Sequence, residues 1–281
     1  MNTIVEHGRY VHANGIDVYF REQGEGPPLL LLHGGLVSSS PRWAGVPVSY
    51  ASQLDTLAAR FRVITPDTRG CGRTAHTGNG SISFALLADD VAALIEALEL
   101  ERPLIAGFSE GAITATVLGL RAPESVSAIV NQAGHDFFNP QAPSFQIMRQ
   151  LFGGSTDATR TDPDAVERFF SQSQRMRAMF ELMQQDQDEG QGTGYWRTYL
   201  ELAFERTTRW PGYAFADLGK IEVPALILCG DRDEFCSVEE AITAYRALPK
   251  GELAILADTG HVITPAAIEA MVEFLERHVS P

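Results

Sequence analysis

The chain has little cysteine, no long apolar run and no excess of positive charge, and each scarcity removes a class of protein. Its three cysteines in 281 residues, Cys71, Cys229 and Cys236, cannot all be bridged within the chain and form no C-x-x-C pair. They are expected to be reduced thiols, as in the cytoplasm, with no metal site and no cofactor implied. No stretch approaches the roughly 20 consecutive apolar residues that cross a bilayer. The opening residues, Met1 to His7, carry neither a basic segment nor an apolar one, so nothing in them reads as an export signal. Lys and Arg together number 22 against 36 Asp and Glu, a formal net charge of -14. Nucleic acids and anionic membranes call for basic patches, so neither is an expected partner, and a small-molecule substrate is. There is no internal repeat, and oligomeric state is not written in the pattern. What the chain does have, 44% hydrophobic and 21% charged residues, suffices for one sizeable core with an inserted subdomain.

Up to about Gly134, strand and helix signals alternate. Asp17 to Arg21, Arg62 to Thr65 and Pro103 to Ala106 read as strands. Phe84, Leu87, Val91, Leu94, Ile95 and Leu98 recur at helical spacing, so one face of that segment should pack on a sheet. Alternation of this kind implies a mostly parallel sheet with crossovers on both faces. From Phe137 to about Gly212 the strand signals vanish. One long helix is expected there, capped by Asp162-Pro163 and running through Val166, Phe169, Phe170, Met176, Phe180 and Met183; a polar break from Gln184 to Gly194 should separate it from a helix over Tyr195 to Arg209.

Gly107-Phe108-Ser109-Glu110-Gly111 follows an apolar strand-like run and opens a helix-like one, Ala112 to Leu120. A strand that turns this sharply into a helix strains the serine backbone and crowds the positions two before and two after it, which therefore lack a Cβ. Such a turn lifts the Ser109 hydroxyl to the C-terminal edge of a sheet. It also aims the Glu110 amide, at a helix N-terminus, at developing negative charge.

A serine hydroxyl is a poor nucleophile until a base takes its proton and a third group orients that base. Seven histidines compete. His261 follows the strand-like Glu252 to Leu256 and precedes a Pro-initiated helix, a loop position where open α/β sheets meet ligands. His7 and His12 precede the core, His278 falls near the tail, and His76 and His135 are expected in solvated loops. For the acid, Val223 to Cys229 reads as a buried strand with Gly230-Asp231-Arg232-Asp233 at its end, so Asp231 and Asp233 are both candidates. Asp136, after the preceding strand, is a third.

The order Ser, Asp, His and the nucleophile turn resemble the α/β-hydrolase fold superfamily over nearly the whole chain. In that family's G-x-x-D pattern the acid stands three residues after the glycine, which selects Asp233. Leu29-Leu30-Leu31-Leu32-His33-Gly34-Gly35 resembles the family's strand and oxyanion loop. The resemblance implies that the Gly35 and Glu110 amides hold the oxyanion and that His33 is structural. Pro66-Asp67-Thr68-Arg69-Gly70-Cys71-Gly72-Arg73-Thr74 resembles the D-x-R-G-x-G-x-S segment, whose ion-paired arginine fixes a loop beside the site. The implied architecture is a mostly parallel central sheet flanked by helices, with residues 1–136 and 213–281 as core and residues 137–212 as an inserted helical cap.

That segment is rich in Phe, Met, Tyr and Trp, Trp210 among them, and helical spacing already explains most of their burial. Leu36, Phe137, Phe138 and Trp196 are expected to face substrate. The function implied is a serine hydrolase of carboxylic esters of small apolar substrates, acting through an acyl-enzyme on Ser109. Carbon-carbon, lactone or amide hydrolysis or perhydrolysis on the same triad, and a non-catalytic ligand receptor, are the alternatives. Because His261 must be neutral to act, hydrolysis should rise with pH as its imidazole loses a proton. The Glu110 side chain, at a position that resembles one in hydrolases of amino-acid esters, is expected either to serve the helix dipole or to select cationic substrates.

Overall fold

In the computed structural model, residues 8–78, 80–139, 141–209 and 213–279 are described. The first element is a hairpin, β1 (Arg9–Ala13) and β2 (Ile16–Gln23), closed by Asn14 and Gly15 at φ 46° and 75°. Positive φ at both central residues matches the right-handed twist of the flanking strands, and Asn-Gly tolerates it best. There follow β3 (Pro28–Leu32), α1 (Leu54–Ala58), β4 (Arg62–Pro66), α2 (Phe84–Ala97), β5 (Leu104–Phe108), α3 (Glu110–Arg121) and β6 (Ala128–Gln132). Four helices come next: α4 (Pro143–Gly153), α5 (Pro163–Phe170), α6 (Gln174–Gln191) and α7 (Tyr195–Thr208). The chain then returns to the sheet as β7 (Ala225–Gly230), α8 (Val238–Ala247), β8 (Gly251–Leu256) and α9 (Pro265–Glu276).

The strands form one eight-stranded sheet in the order β1-β2-β4-β3-β5-β6-β7-β8. β1 pairs with β2, and β2 with β4, antiparallel; from β4 onward every pairing is parallel. Parallel strands covered on both faces need apolar side chains on both, and the continuous run Leu29 to Leu32, every residue of it buried, is what such a position selects. On one face α2 inserts Phe84, Leu87, Val91, Leu94 and Ile95 beside Ile113 and Val117 of α3. On the other, α9 contributes Ile268, Met271, Phe274 and Leu275. A third apolar cluster lies among α4 to α7 and reaches Val37, Trp43 and Cys71 of the loops beyond the sheet.

The structure departs from the sequence expectation between β6 and β7. The helix begun at Asp162-Pro163 ends at Phe170, and Ser173, whose hydroxyl accepts the Met176 N–H, caps a new one. α6 then runs straight through the expected polar break to Gln191. The reason lies in Asp186 and Gln187, which are fully buried rather than solvated. Asp186 accepts from Ser38 Oγ and, at 3.0 Å, from Trp43 Nε1; Gln187 Oε1 accepts the Gly72 N–H at 2.9 Å. Polar residues here mark a docking face on the sheet's loops, and the second Asp186 oxygen, which accepts no hydrogen bond, faces the Arg73 guanidinium at 3.6 Å. Trp210 and the boundary near Gly212 lie outside the described residues.

Candidate active site

β5 is buried along its whole length, and its last residue, Phe108, delivers the chain to Ser109 at φ 52° and ψ -117°. A non-glycine residue in this region costs about 1–3 kcal/mol, so the surroundings must hold it. They do so by close approach: a Cβ added at Gly107 would stand 2.2 Å from the Gly111 carbonyl carbon, and one at Gly111 would stand 2.4 Å from Leu32 O. The Ser109 N–H donates to Gln132 O at 2.8 Å, while its carbonyl accepts from Ala112 at 2.9 Å and Ile113 at 3.0 Å to start α3.

His261 Nδ1 lies 2.8 Å from Asp233 Oδ2 and 3.1 Å from Oδ1. Asp233 is thereby the carboxylate that meets the imidazole, and its Oδ1 also accepts the Phe235 and Cys236 N–H groups at 2.9 and 3.0 Å. The imidazole is gripped between rings: Phe108, the neighbour of Ser109, at 4.7 Å and Phe235 at 4.8 Å. This puts His261 beside the turn that bears Ser109. Gly230 explains how the loops come so close, since a Cβ there would stand 1.9 Å from Thr259 O. Asp231, the rival in the same loop, accepts the Thr259 N–H at 3.3 Å and so helps hold the loop of His261.

Asp136 and His135 are buried completely, so the expectation of a solvated His135 is wrong. The turn after β6 folds beneath the start of α8, where His135 Nε2 meets Ser237 O at 3.0 Å. Burial pulls the His135 pKa down to about 4. Burial also pushes Asp136 up to about 6, against the Cys236 thiol that donates to it at 3.0 Å. Burial and the neighbouring Asp136 hold that thiol far above the usual range. All three cysteines are free and buried.

The loop after β3 packs directly on the serine turn. His33 Nδ1 donates to Gly34 O at 2.8 Å and its Nε2 accepts the Thr68 N–H at 3.1 Å, which makes it a brace between two loops, as expected. A Cβ on Gly34 would stand 3.4 Å from Ser109 Cβ, and one on Gly35 2.9 Å from Glu110 Cδ. Gly35 and Glu110 therefore share one wall. Arg69 closes the outer loop by a two-pronged pair with Asp90, at 2.6 and 2.7 Å.

Leu36, at φ 65°, donates its N–H to the Tyr199 hydroxyl of α7 at 2.7 Å. Two turns further along α7, Arg206 grips Glu110 Oε2 through Nε at 3.1 Å and a terminal nitrogen at 2.7 Å. The Glu110 carboxylate, for which cation selection is one of two expected roles, is thus already paired inside the protein. Burial opposes the charge on Arg206, but the paired Glu110 carboxylate holds its pKa above the ordinary value. Of the other residues expected at substrate, Phe137 packs on Phe84 and Phe145 in the sheet-side core. Phe138 belongs to that same cluster. Trp196 meets Phe180 edge-on at 5.7 Å, with the Arg197 guanidinium 4.1 Å over its ring. Tyr199 and Arg206 were missed from sequence. The available signal was their spacing of seven, which places both on one face of a helix.

Ligand atoms of Asp233, Cys236 and His261 lie within 4.8 Å of one another. Each is engaged otherwise, the imidazole with Asp233 and the protonated thiol with Asp136. No helix among the described residues is long and apolar enough to cross a membrane.

A family profile described as the alpha/beta hydrolase fold matches residues 27–264. The chain is 26% identical over 273 residues to a 2-hydroxymuconate semialdehyde hydrolase of Pseudomonas putida, spanning 91% of this chain and 88% of that one. Its fold is similar to that of a thermophilic esterase from Thermogutta terrifontis, at TM-score 0.71 and 19% identity, over 98% of this chain and 100% of that one. The enol-lactonase from Burkholderia xenovorans LB400 is equally similar, at TM-score 0.71 and 20% identity, over 95% of this chain and 100% of the other.

Proposed function

We propose, from the premise that this chain belongs to the α/β hydrolase fold family, that it is a serine hydrolase of small carboxylic esters. The observation that carries this reading is the His261–Asp233 pair at 2.8 Å, set against the ring of the residue that precedes the strained Ser109. In the first step His261 takes the Ser109 proton as Oγ attacks the acyl carbon. The carbonyl oxygen gathers the charge, and the Gly35 and Glu110 amides receive it. His261 then gives its proton to the leaving alcohol, and the C–O bond to that group breaks. In the second step water loses a proton to His261 as it attacks the acyl carbon; the bond from that carbon to Ser109 Oγ then breaks, His261 returns its proton to Oγ, and the acid leaves. Asp233 keeps Nδ1 protonated, so that Nε2 is the basic nitrogen, and stabilises the transient cation. The helices α4 to α7 act as a cap over this site.

A second reading, hydrolytic cleavage of a carbon-carbon bond on the same three side chains, draws support from the likeness to a 2-hydroxymuconate semialdehyde hydrolase. Labelling with a fluorophosphonate tests the shared premise. Wild type should be labelled on Ser109 and hydrolyse p-nitrophenyl acetate, and Ser109→Ala should lose both, with kcat down by at least about 10³-fold. Ester turnover that survives in Ser109→Ala would refute the assignment. A comparison of short esters with a vinylogous diketone then separates the two readings.

A further inference from the structure

Two opposite charges are buried one residue beyond Ser109, and they come from distant parts of the chain. Glu110 opens α3, Arg206 lies in the last turn of α7, and their side chains are 11% and 4% exposed. The carboxylate lies against Gly35, on the wall where the acyl oxygen is proposed to settle. The groups beside the pair stay neutral, since burial pushes the Tyr199 hydroxyl and the Cys71 thiol well above their ordinary pKa values. Either charge alone, at this depth, would impose a strong field on an incoming substrate. Bound together at 2.7 Å, they cancel.

We propose that the Glu110–Arg206 pair is the specificity determinant of this site, a mutual neutraliser that makes it accept uncharged acyl groups and disfavour acyl groups of either sign. This inference rests on the serine-hydrolase reading and names the substrate class for it. It replaces cation selection by Glu110, which a free carboxylate would have performed. Removing one partner releases the other: Glu110→Gln leaves a cation beside the acyl site, and Arg206→Gln leaves an anion.

The experiment compares kcat/KM for three p-nitrophenyl esters of equal length, ending in a methyl group, a carboxylate and an ammonium. Wild type should favour the methyl ester over both charged ones. Glu110→Gln should raise the carboxylate-to-methyl ratio on the order of tenfold, and Arg206→Gln the ammonium-to-methyl ratio by a similar factor. The double variant Glu110→Gln/Arg206→Gln should return both ratios to wild-type values, which a merely structural contact would not do. Ratios that stay fixed, or that move the same way in both single variants, would overturn the proposal. Fluorophosphonate labelling runs alongside: an unlabelled Ser109 in wild type defeats the hydrolase reading, whereas labelled protein with unmoved ratios defeats only this inference. Should the single variants not fold, alkylboronic acids with the same three termini decide the matter on wild type. The uncharged one should bind at least about tenfold tighter than either other, and equal inhibition by all three would overturn the proposal.

Discussion

Ser109 holds a conformation that its side chain does not favour, at φ 52° and ψ -117°. Glycine occupies that region without the Cβ clash, so Ser109→Gly should raise stability by about 1 kcal/mol, whereas Ser109→Ala, which keeps the Cβ, should leave it nearly unchanged. Paired urea melts check this, and equal midpoints for the two variants would show that the turn stores no strain. His135 and Asp136 give a second prediction. Folded His135 binds its proton only near pH 4 instead of the ordinary 6.5, so the stability it contributes is present above pH 6.5 and lost as the pH falls towards 4. Asp136 works in the opposite sense: its folded carboxyl is protonated below about 6 instead of 3.8, so acid in that window favours the folded state. Each effect is worth roughly 3 kcal/mol, and between pH 4 and 6 they largely offset one another. Asp136→Asn removes one of them. That variant should gain stability at pH 7.5 and lose it more steeply than wild type between pH 6.5 and 4.5, as thermal melts across that range would record. Parallel curves for the two proteins would refute the assignment.

Among the elements, α6 has the tightest seat. Gly190 faces the backbone of the loop after β4 so closely that a Cβ would stand 1.8 Å from Gly72 O. Around it, Gln187 takes the Gly72 N–H, Gln191 donates to Gly72 O at 3.0 Å, and Tyr195 at the start of α7 donates to Gly70 O at 3.0 Å. At an exposed helix position Gly→Ala adds stability, by about 1 kcal/mol, because alanine is the better helix former. Here the sign should reverse. Gly190→Ala should cost about 1–3 kcal/mol as the helix is pushed off the loop. Amide exchange over residues 186–195 should quicken with it, and a variant as stable and as protected as wild type would contradict the seat described.

At the scale of the whole molecule, what could be read in the sequence is what the backbone demands over a few consecutive residues. The Gly107 to Gly111 turn leaves a local mark because close approach dictates which residues can stand there, and the parallel sheet shows in the alternation of strand and helix signals, whereas the choice of Asp233 and the structural role of His33 come only from the family resemblance. The partners that join the helical block to the sheet leave none. Glu110 and Arg206 stand far apart in the chain, as do Ser38 and Asp186, and only packing sets which faces of α6 and α7 meet which loops. A polar run in that block therefore reads as a break in sequence, although it continues a helix that buries Asp186 and Gln187 against those loops. His135 reads as a surface residue in sequence because a glycine-flanked turn looks alike whether solvent or α8 covers it.

The two threads from α7, Tyr199 to the Leu36 amide and Arg206 to Glu110, end on the loop after β3 and on the first residue of α3, either side of Ser109. Any exchange of the α4 to α7 block for another would have to preserve both contacts. In this protein a graft that omits those two side chains would strand a buried carboxylate and free the strained backbone at Leu36, so any chimaera must carry both across or redesign the loops they hold.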